Sequence, residues 1–291
     1  MEKTNSKIFA NSRWDIVPVL AGFSHLAFNI WLVMGFADHP LWVNFVLGCI
    51  YAVSISWNIN GISHNFLHTP YFKPNWMNYI FSLLDSLAIG FSQVYYTWIH
   101  NRHHTGNSDR QDKDGNTVDY LSIYRHGKNS QPESVWAYTF LSFFRDDMGD
   151  VHSFIARTRS FDAKFGKFEL ICLMVLVAAG FFYNWHAMLF FIPFYYLGNC
   201  LSSLNGFYEH LNSNPDKPIA WGVSCYNELY NFLWFGNGYH AEHHYRPRMH
   251  WTKLKIFHQQ LSEQQKNEGV HVISTCHALG FLAKENRKKS A

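Results

Sequence analysis

The chain has 291 residues, 48% apolar and 18% aromatic against 15% charged, which is enough apolar mass for a sizeable buried core. A formal net charge of +3 is too mild to argue for nucleic acid as a partner and is ordinary for a membrane protein with basic cytoplasmic loops. Histidine is the outlier, with 18 residues, and its neutral imidazole is the commonest transition-metal ligand.

From the N-terminus, five apolar runs approach the roughly 20 residues that cross a bilayer: 16–36, 41–61, 79–99, 168–184 and 186–204. The first outlasts a signal-peptide core and ends in no small-residue cleavage pattern, so no cleavable leader is expected. The third holds Ser82, Asp85, Ser86, Ser92 and Gln93 and is expected to lie in the interface without spanning. The other four pair as two hairpins with short joints near 37–40 and 183–186. Lys and Arg collect on the cytoplasmic side of short loops. Here three precede the first run (Lys3, Lys7, Arg13), Lys73 follows the second, ten lie in 102–167, Lys217 follows the last run, nine lie in 246–289, and neither joint carries one.

The pattern therefore predicts an all-α integral membrane protein. Four spans stand in two hairpins, both termini are cytoplasmic, and one domain covers 1–291 with a cytosolic helical cap in 62–167 and 205–291. Trp14, Trp31, Trp42, Trp57, Trp98 and Trp185 cluster near the ends of the runs, as interfacial aromatics do. A mean hydropathy of −0.17 leaves a soluble helical bundle as the alternative, but the polar stretches 101–167 and 246–291 account for that mean.

The five cysteines, Cys49, Cys172, Cys200, Cys225 and Cys276, form no C-x-x-C pair and read as bland thiols. Three histidine clusters carry the chemistry: His64-Asn-Phe-Leu-His68, His100-Asn-Arg-His103-His104 and His240-Ala-Glu-His243-His244. Residues three and four apart share a helix face, so each cluster can aim two or three imidazoles at one point. All three follow apolar runs on the predicted cytoplasmic side. Eight imidazoles exceed what one four-coordinate zinc site can use, which implies two metal ions. His210, in Gly206-Phe-Tyr-Glu-His210, is a ninth candidate.

In order and context these boxes resemble those of the membrane fatty-acid desaturase and hydroxylase superfamily, over roughly 16–247. The matching segments are His64–His68, Trp98-Ile-His100-Asn-Arg-His103-His104-Thr, and Gly238-Tyr-His240-Ala-Glu-His243-His244 with Pro247. Tyr208-Glu209-His210 is similar to an extra motif of the alkane-hydroxylase branch. The resemblance implies a mushroom-shaped four-span fold whose cytosolic cap holds two non-haem irons and uses O2 as co-substrate. It also implies ligand roles for His64, His68, His100, His103, His104, His240, His243 and His244, and less directly for His210. Two departures blur the branch: the segment Gly106-Asn-Ser-Asp-Arg-Gln-Asp-Lys-Asp-Gly is unusually acidic, and Asn205 lies five residues before His210.

Soluble di-iron proteins use Glu ligands and paired E-x-x-H motifs, whereas this chain has one E-x-x-H, Glu268–His271. An imidazole-dominated set leaves more positive charge on the metals and suits O2-dependent attack on an unactivated C–H bond of a lipid or fatty-acyl substrate. Desaturation leads among the outcomes, with hydroxylation and oxidative decarboxylation beside it. Asn205, Glu209, Asn237, Glu242, Asp112, Asp114 and Asp119 are candidates to orient the imidazoles. With no dinucleotide fingerprint, cysteine metal motif or fused haem carrier, electrons are expected from a ferredoxin, rubredoxin or cytochrome b-type carrier. Arg102, Arg110, Arg125, Arg145, Arg157 and Arg159 would receive it.

The tail from Trp251 contains Leu254, Ile256, Phe257 and Leu261 at amphipathic-helix spacing and ends Lys288-Lys289-Ser290-Ala291 like a dilysine retrieval signal. His250, His258, His271 and His277 lack box spacing and are expected at the surface. The host membrane is read as a bacterial inner membrane or the endoplasmic reticulum. A carotenoid ketolase or hydroxylase is the alternative within the same chemistry, and a membrane metal or haem carrier is the alternative outside it.

Overall fold

The computed structural model describes residues 6–145 and 148–287, and the dilysine tail lies outside the described residues. These are helical with no sheet; two isolated bridges, Phe9 with Phe72 and Ser224 with Val272, are the β-type contacts. They form two compact units, 6–98 with 148–199 and 99–145 with 200–287.

The first unit contains α1 (Ile16–Met34), α2 (Leu41–Trp57), a π-helical turn Asn58–Ser63 running into α3 (His64–His68), α4 (Asn75–Ile89), the start of α5 (Gln93–Gly106), α7 (Met148–Thr158) and most of α8 (Ser160–His210). Among the described residues, three stretches are long and apolar enough to cross a membrane: Arg13–Met34, Leu41–His68 and Ser160–His210. Their outward faces are apolar, with Trp42 71% and Phe182 96% exposed, a distribution suited to lipid and costly in water. The run 79–99 is not one helix. Gly90 ends α4 at φ +82°, a left-handed conformation that favours glycine, and α5 begins at Gln93.

At 51 residues, α8 would be about 77 Å long if straight, against a hydrocarbon core of about 30 Å. It reverses instead at Asn184, whose φ of −153° and ψ of 84° break the helix and whose Oδ1 accepts from the Ala187 N–H at 3.1 Å. The reversal brings Met188 Sδ within 2.7 Å of where a Cβ on Gly180 would stand, and puts Leu173 and Tyr195 on one cavity. Gly48 and Gly198 let α2 and the returning half of α8 approach closely. A Cβ at Gly48 would meet the Phe194 ring at 2.7 Å, and one at Gly198 the Ala52 carbonyl at 2.7 Å.

Polar residues of this unit are bonded to one another. Asp85, buried, accepts from Asn58 Nδ2 at 2.9 Å and from Ser63 Oγ, and Asn58 also reaches His25 Nδ1 at 2.9 Å. Glu169, fully buried, accepts from Ser82, Ser92 and the Val94 N–H. An unmade bond to a buried donor costs roughly 1–3 kcal/mol. Asp85→Ala, which takes one acceptor from Asn58 and one from Ser63, is therefore expected to lower the thermal midpoint of the detergent-solubilised protein clearly, and Asp85→Asn to lower it less. Equal midpoints would remove this network from the account of stability.

The second unit holds the remainder of α5, α6 (Val135–Leu141) with the 3-10 turn Ser142–Phe144, the end of α8, α9 (Glu228–Leu233), α10 (His240–Tyr245), α11 (Leu254–Glu268) and α12 (Lys284–Arg287). Ile123, Tyr138, Phe207 and Tyr208 pack one core cluster, and Val223, Cys225, Tyr230 and Ile273 another. All five cysteines are free, with Cys200 and Cys225 buried. The amphipathic stretch forms α11, with Leu254 buried, Phe257 and Leu261 half-buried, and Ile256 turned outward. The expectation of four surface histidines fails. His250 and His277 are buried and His258 and His271 half-buried, because each has a polar partner that box spacing does not report.

Candidate metal centre

The second unit alone gathers seven of the nine candidate histidines. His103, His210, His240 and His244, all buried, place one ligand nitrogen each within 4.8 Å of the others. His103 Nε2 lies 3.0 Å from His210 Nε2, and His210 Nε2 lies 3.1 Å from His240 Nε2. Beside them His104 Nε2 is 3.0 Å from both His100 Nε2 and His243 Nε2. His64 and His68 belong to the first unit, where one turn of α3 sets their rings edge to face at 5.2 Å.

Local structure explains the convergence. Helical spacing in α5 brings His100, His103 and His104 to one side, and in α10 it groups His240, His243 and His244. Glu242, two positions from His240, faces the other way. There it is fully buried and accepts from Ser224 Oγ at 2.9 Å, Tyr226 Oη at 3.0 Å and His258 Nδ1 at 2.6 Å. The imidazole it holds is thus His258, outside the boxes. Hydrogen bonding to this carboxylate lifts His258 above the ordinary histidine value, against the opposing effect of burial.

The outer nitrogens of the quartet settle its protonation, as assigned from the hydrogen-bond network. His103 Nδ1 is 2.7 Å from Asp119 Oδ2, His210 Nδ1 is 3.2 Å from the Trp221 carbonyl, and His244 Nδ1 is 2.7 Å from Asn107 Oδ1. Asn107 is oriented because its Nδ2 donates to the His104 carbonyl at 2.8 Å. All three partners accept, so each Nδ1 carries the proton and each Nε2 presents a lone pair. With both rings neutral, His103 and His210 face one another lone pair to lone pair at 3.0 Å, and His244 Nε2 is buried without a protein partner. Burial, reinforced by His240, His210, His103 and His243, holds His244 well below the ordinary histidine value, so it is neutral and ligand-ready at pH 7. A cation resolves this repulsion. The all-imidazole donor set would fit a first-row transition metal.

The remaining candidates sort by position. Glu209 is buried, accepts from Asn205 Nδ2 at 2.7 Å and Asn237 Nδ2 at 2.8 Å, and lies 3.6 Å from His240 Nδ1. Asp119 reaches a box histidine, whereas Asp112 accepts from the backbone N–H groups of Asp114 and Asn116 in an exposed turn. Of the E-x-x-H pair, Glu268 binds Lys217 at 2.7 Å and His271 binds Asn286 at 3.0 Å, so neither joins the cluster. Asn107 and Tyr226 were not anticipated. A signal existed for Asn107, since Thr-Gly-Asn-Ser follows a helix end. Asn107 and Ser108 adopt φ of 51° and 57°, the left-handed region that Asn tolerates.

Three histidine boxes whose imidazoles are positioned to coordinate metal ions, in a chain with apolar helices of membrane-crossing length, fit a membrane-associated protein with a histidine-rich metal site. The fatty acid desaturase family model matches residues 40–275, most of the chain, and the protein belongs to that family. Neither the curated proteins nor the solved structures searched contain a match.

Proposed function

We propose that the protein is an O2-dependent oxidoreductase that removes hydrogen from an unactivated C–H bond of a lipid acyl chain, most readily as a desaturase. The observation that carries this reading is the convergence of buried His103, His210, His240 and His244, with one ligand nitrogen of each within 4.8 Å of the others, in a chain of the desaturase family. His103, His210, His240 and His244 would hold one iron. His100, His104 and His243 would hold the other, and the box pattern assigns His64 and His68 to complete that second set. Two non-haem irons supply O2 activation when bound.

The chain's own residues do the rest. Asp119, Asn107 and the Trp221 carbonyl hold the Nδ1 protons outward and keep the Nε2 lone pairs inward. Glu209 places a buried carboxylate 3.6 Å from His240 Nδ1, whereas Glu242 holds His258, outside the boxes. In the first unit, a cavity of about 530 Å³ lies among Leu26, Val33, Leu87, Leu176, Phe191 and Tyr195 and is almost wholly apolar. Its size suits a small lipid ligand, since such sites run to roughly 300–1,000 Å³, and it supports an acyl chain as substrate. Removing two hydrogens from a chain while reducing O2 to two waters needs two further electrons. An external ferredoxin, rubredoxin or cytochrome b-type donor would supply them.

The break at Asn184 supports division of α8 into two crossings, giving four spans in two hairpins. The distribution of basic residues then sets both termini on the cytoplasmic side of a bacterial inner membrane or the endoplasmic reticulum. Metal analysis of detergent-purified protein tests the reading, with about two irons per chain expected and no haem band. Because His244 resists protonation, iron should stay bound at pH 6, where an ordinary imidazole is already more than half protonated. Lipid profiling after expression then separates an alkene, an alcohol and a shortened hydrocarbon, and a carotenoid-producing host tests the ketolase or hydroxylase alternative. One zinc, or a haem spectrum, would overturn the oxygenase reading.

A further inference from the structure

Helix α2 does not reach the first histidine box as an α-helix. It passes through the π-helical turn Asn58–Ser63, all six residues of which are buried, before α3 carries His64 and His68. A π-turn holds one residue more than the α-turn it replaces, and one extra residue rotates everything beyond it by about 100° around the helix axis. The direction in which His64 and His68 face is therefore set in this turn.

One carboxylate from another helix grips both ends of it. Asp85, buried on α4, accepts from Asn58 Nδ2 at 2.9 Å through Oδ1 and from Ser63 Oγ through Oδ2. Ser63 Oγ also stands 3.2 Å from Asn58 Oδ1. Asn58 and Ser63 are five residues apart. On an α-helix such a pair points about 140° apart, and two short side chains so divergent cannot meet on one carboxylate. A turn closed by bonds between residues five apart brings them to the same side.

The other bonds of the turn agree. The second Asn58 amide N–H meets His25 Nδ1 at 2.9 Å, which can accept because His25 Nε2 donates to Ser54 Oγ at 3.1 Å, whose own proton goes to the Tyr51 carbonyl at 2.8 Å. The last three carbonyls of the turn take side-chain donors: Gly61 from Asn65 Nδ2 at 2.7 Å, Ile62 from Tyr71 Oη at 2.8 Å and Ser63 from Gln93 Nε2 at 3.1 Å. Donors so placed stabilise a helix form that is otherwise rare.

We propose that Asp85 is a positioning residue for the metal centre: by bridging Asn58 and Ser63 it holds the chain in the π-turn that aims His64 and His68. The inference rests on the ligand roles assigned to those two histidines under the proposed function.

Iron binding and the conformation of the turn test it together, on the detergent-purified full chain. Asp85→Ala is expected to bind one of its two irons roughly 10–100-fold more weakly, the loss typical of a missing partner behind a metal ligand, while the other iron keeps its Mössbauer signature. Asp85→Asn, whose amide can still accept from Asn58 and meet Ser63, should restore both. Asn44→Ala removes two bonds at the opposite end of α2, to the Phe36 carbonyl at 2.9 Å and the His39 carbonyl at 3.2 Å. It should lower the thermal midpoint and keep both irons, which separates loss of stability from loss of aim. Cryo-electron microscopy of Asp85→Ala, with an antibody fragment as fiducial, is expected to show 58–63 wound as an α-helix and the two imidazoles turned by about 100°. Ser63→Ala, which withdraws one grip of the two, serves in its place if Asp85→Ala does not fold, with the same rotation expected. A π-turn unchanged in these variants would overturn the proposal, as would equal iron loss in Asn44→Ala. Wild-type protein without iron would instead overturn the metal reading, and the conformation of the turn in the variant would still decide for or against Asp85.

Discussion

Replacing His103 with alanine is expected to take iron from about two atoms per chain to one or fewer, and to cut product formation by more than about 100-fold. Removing a group that merely orients a metal-ligating histidine already costs roughly 10–100-fold, and His103 stands closer than that to the chemistry. Its Nε2 is 3.0 Å from that of His210 and its ring 4.9 Å from that of His244, so its loss leaves three imidazoles of a buried set of four. His243→Ala probes the other group through its 3.0 Å approach to His104, and the same loss is expected there. His271→Ala, which severs only a contact to Asn286 in the second unit's periphery, should keep its iron. If His103→Ala and His243→Ala retain two irons, the imidazoles are not ligands and the metal reading fails. Retention by one of them alone would reassign only that group.

Periodicity made the histidine-bearing helices legible in the sequence. A histidine at i, i+3 and i+4 lies on one helix face regardless of what surrounds it, so α5 and α10 could be read from spacing alone. The apolar runs were legible for the same reason, through a length that bilayer thickness imposes. The break at Asn184 falls at the joint read near 183–186, whereas Gly90 splits a stretch that composition presents as a single run. What spacing could not report was the partner of each outward nitrogen. Asn107 and Asp119 arrive from a loop, and Ser224, Tyr226 and His258 gather around Glu242 from two separate segments, by tertiary contact only. The four histidines assigned to the surface failed for this reason, since a lone imidazole has no period to betray its burial.

Asp119 is where the unusual acidic loop meets the metal centre, and its substitution should have the second large effect. The carboxylate is fully buried, accepts His103 Nδ1–H at 2.7 Å, and is itself aimed by the backbone N–H groups of Ser108 at 2.9 Å and Leu121 at 2.7 Å. The loop comes so close to the end of α5 that a Cβ on Gly106 would lie 2.6 Å from Asp119 Cβ. Asp119→Ala removes the acceptor that keeps the His103 proton on Nδ1, freeing the ring to rotate or to carry its proton on Nε2, where a metal must bind. The expected outcome is a 10–100-fold faster loss of iron to a chelator, together with a changed Mössbauer signature for one of two iron populations. Asp119→Asn, which can still accept through its amide oxygen, should retain iron better than alanine while losing the carboxylate charge. Gly106→Ala should mimic Asp119→Ala, because it displaces the carboxylate without altering it. If alanine at 119 leaves both the chelator kinetics and the iron spectrum unchanged, His103 is held by something other than this bond, and the acidic loop serves stability alone.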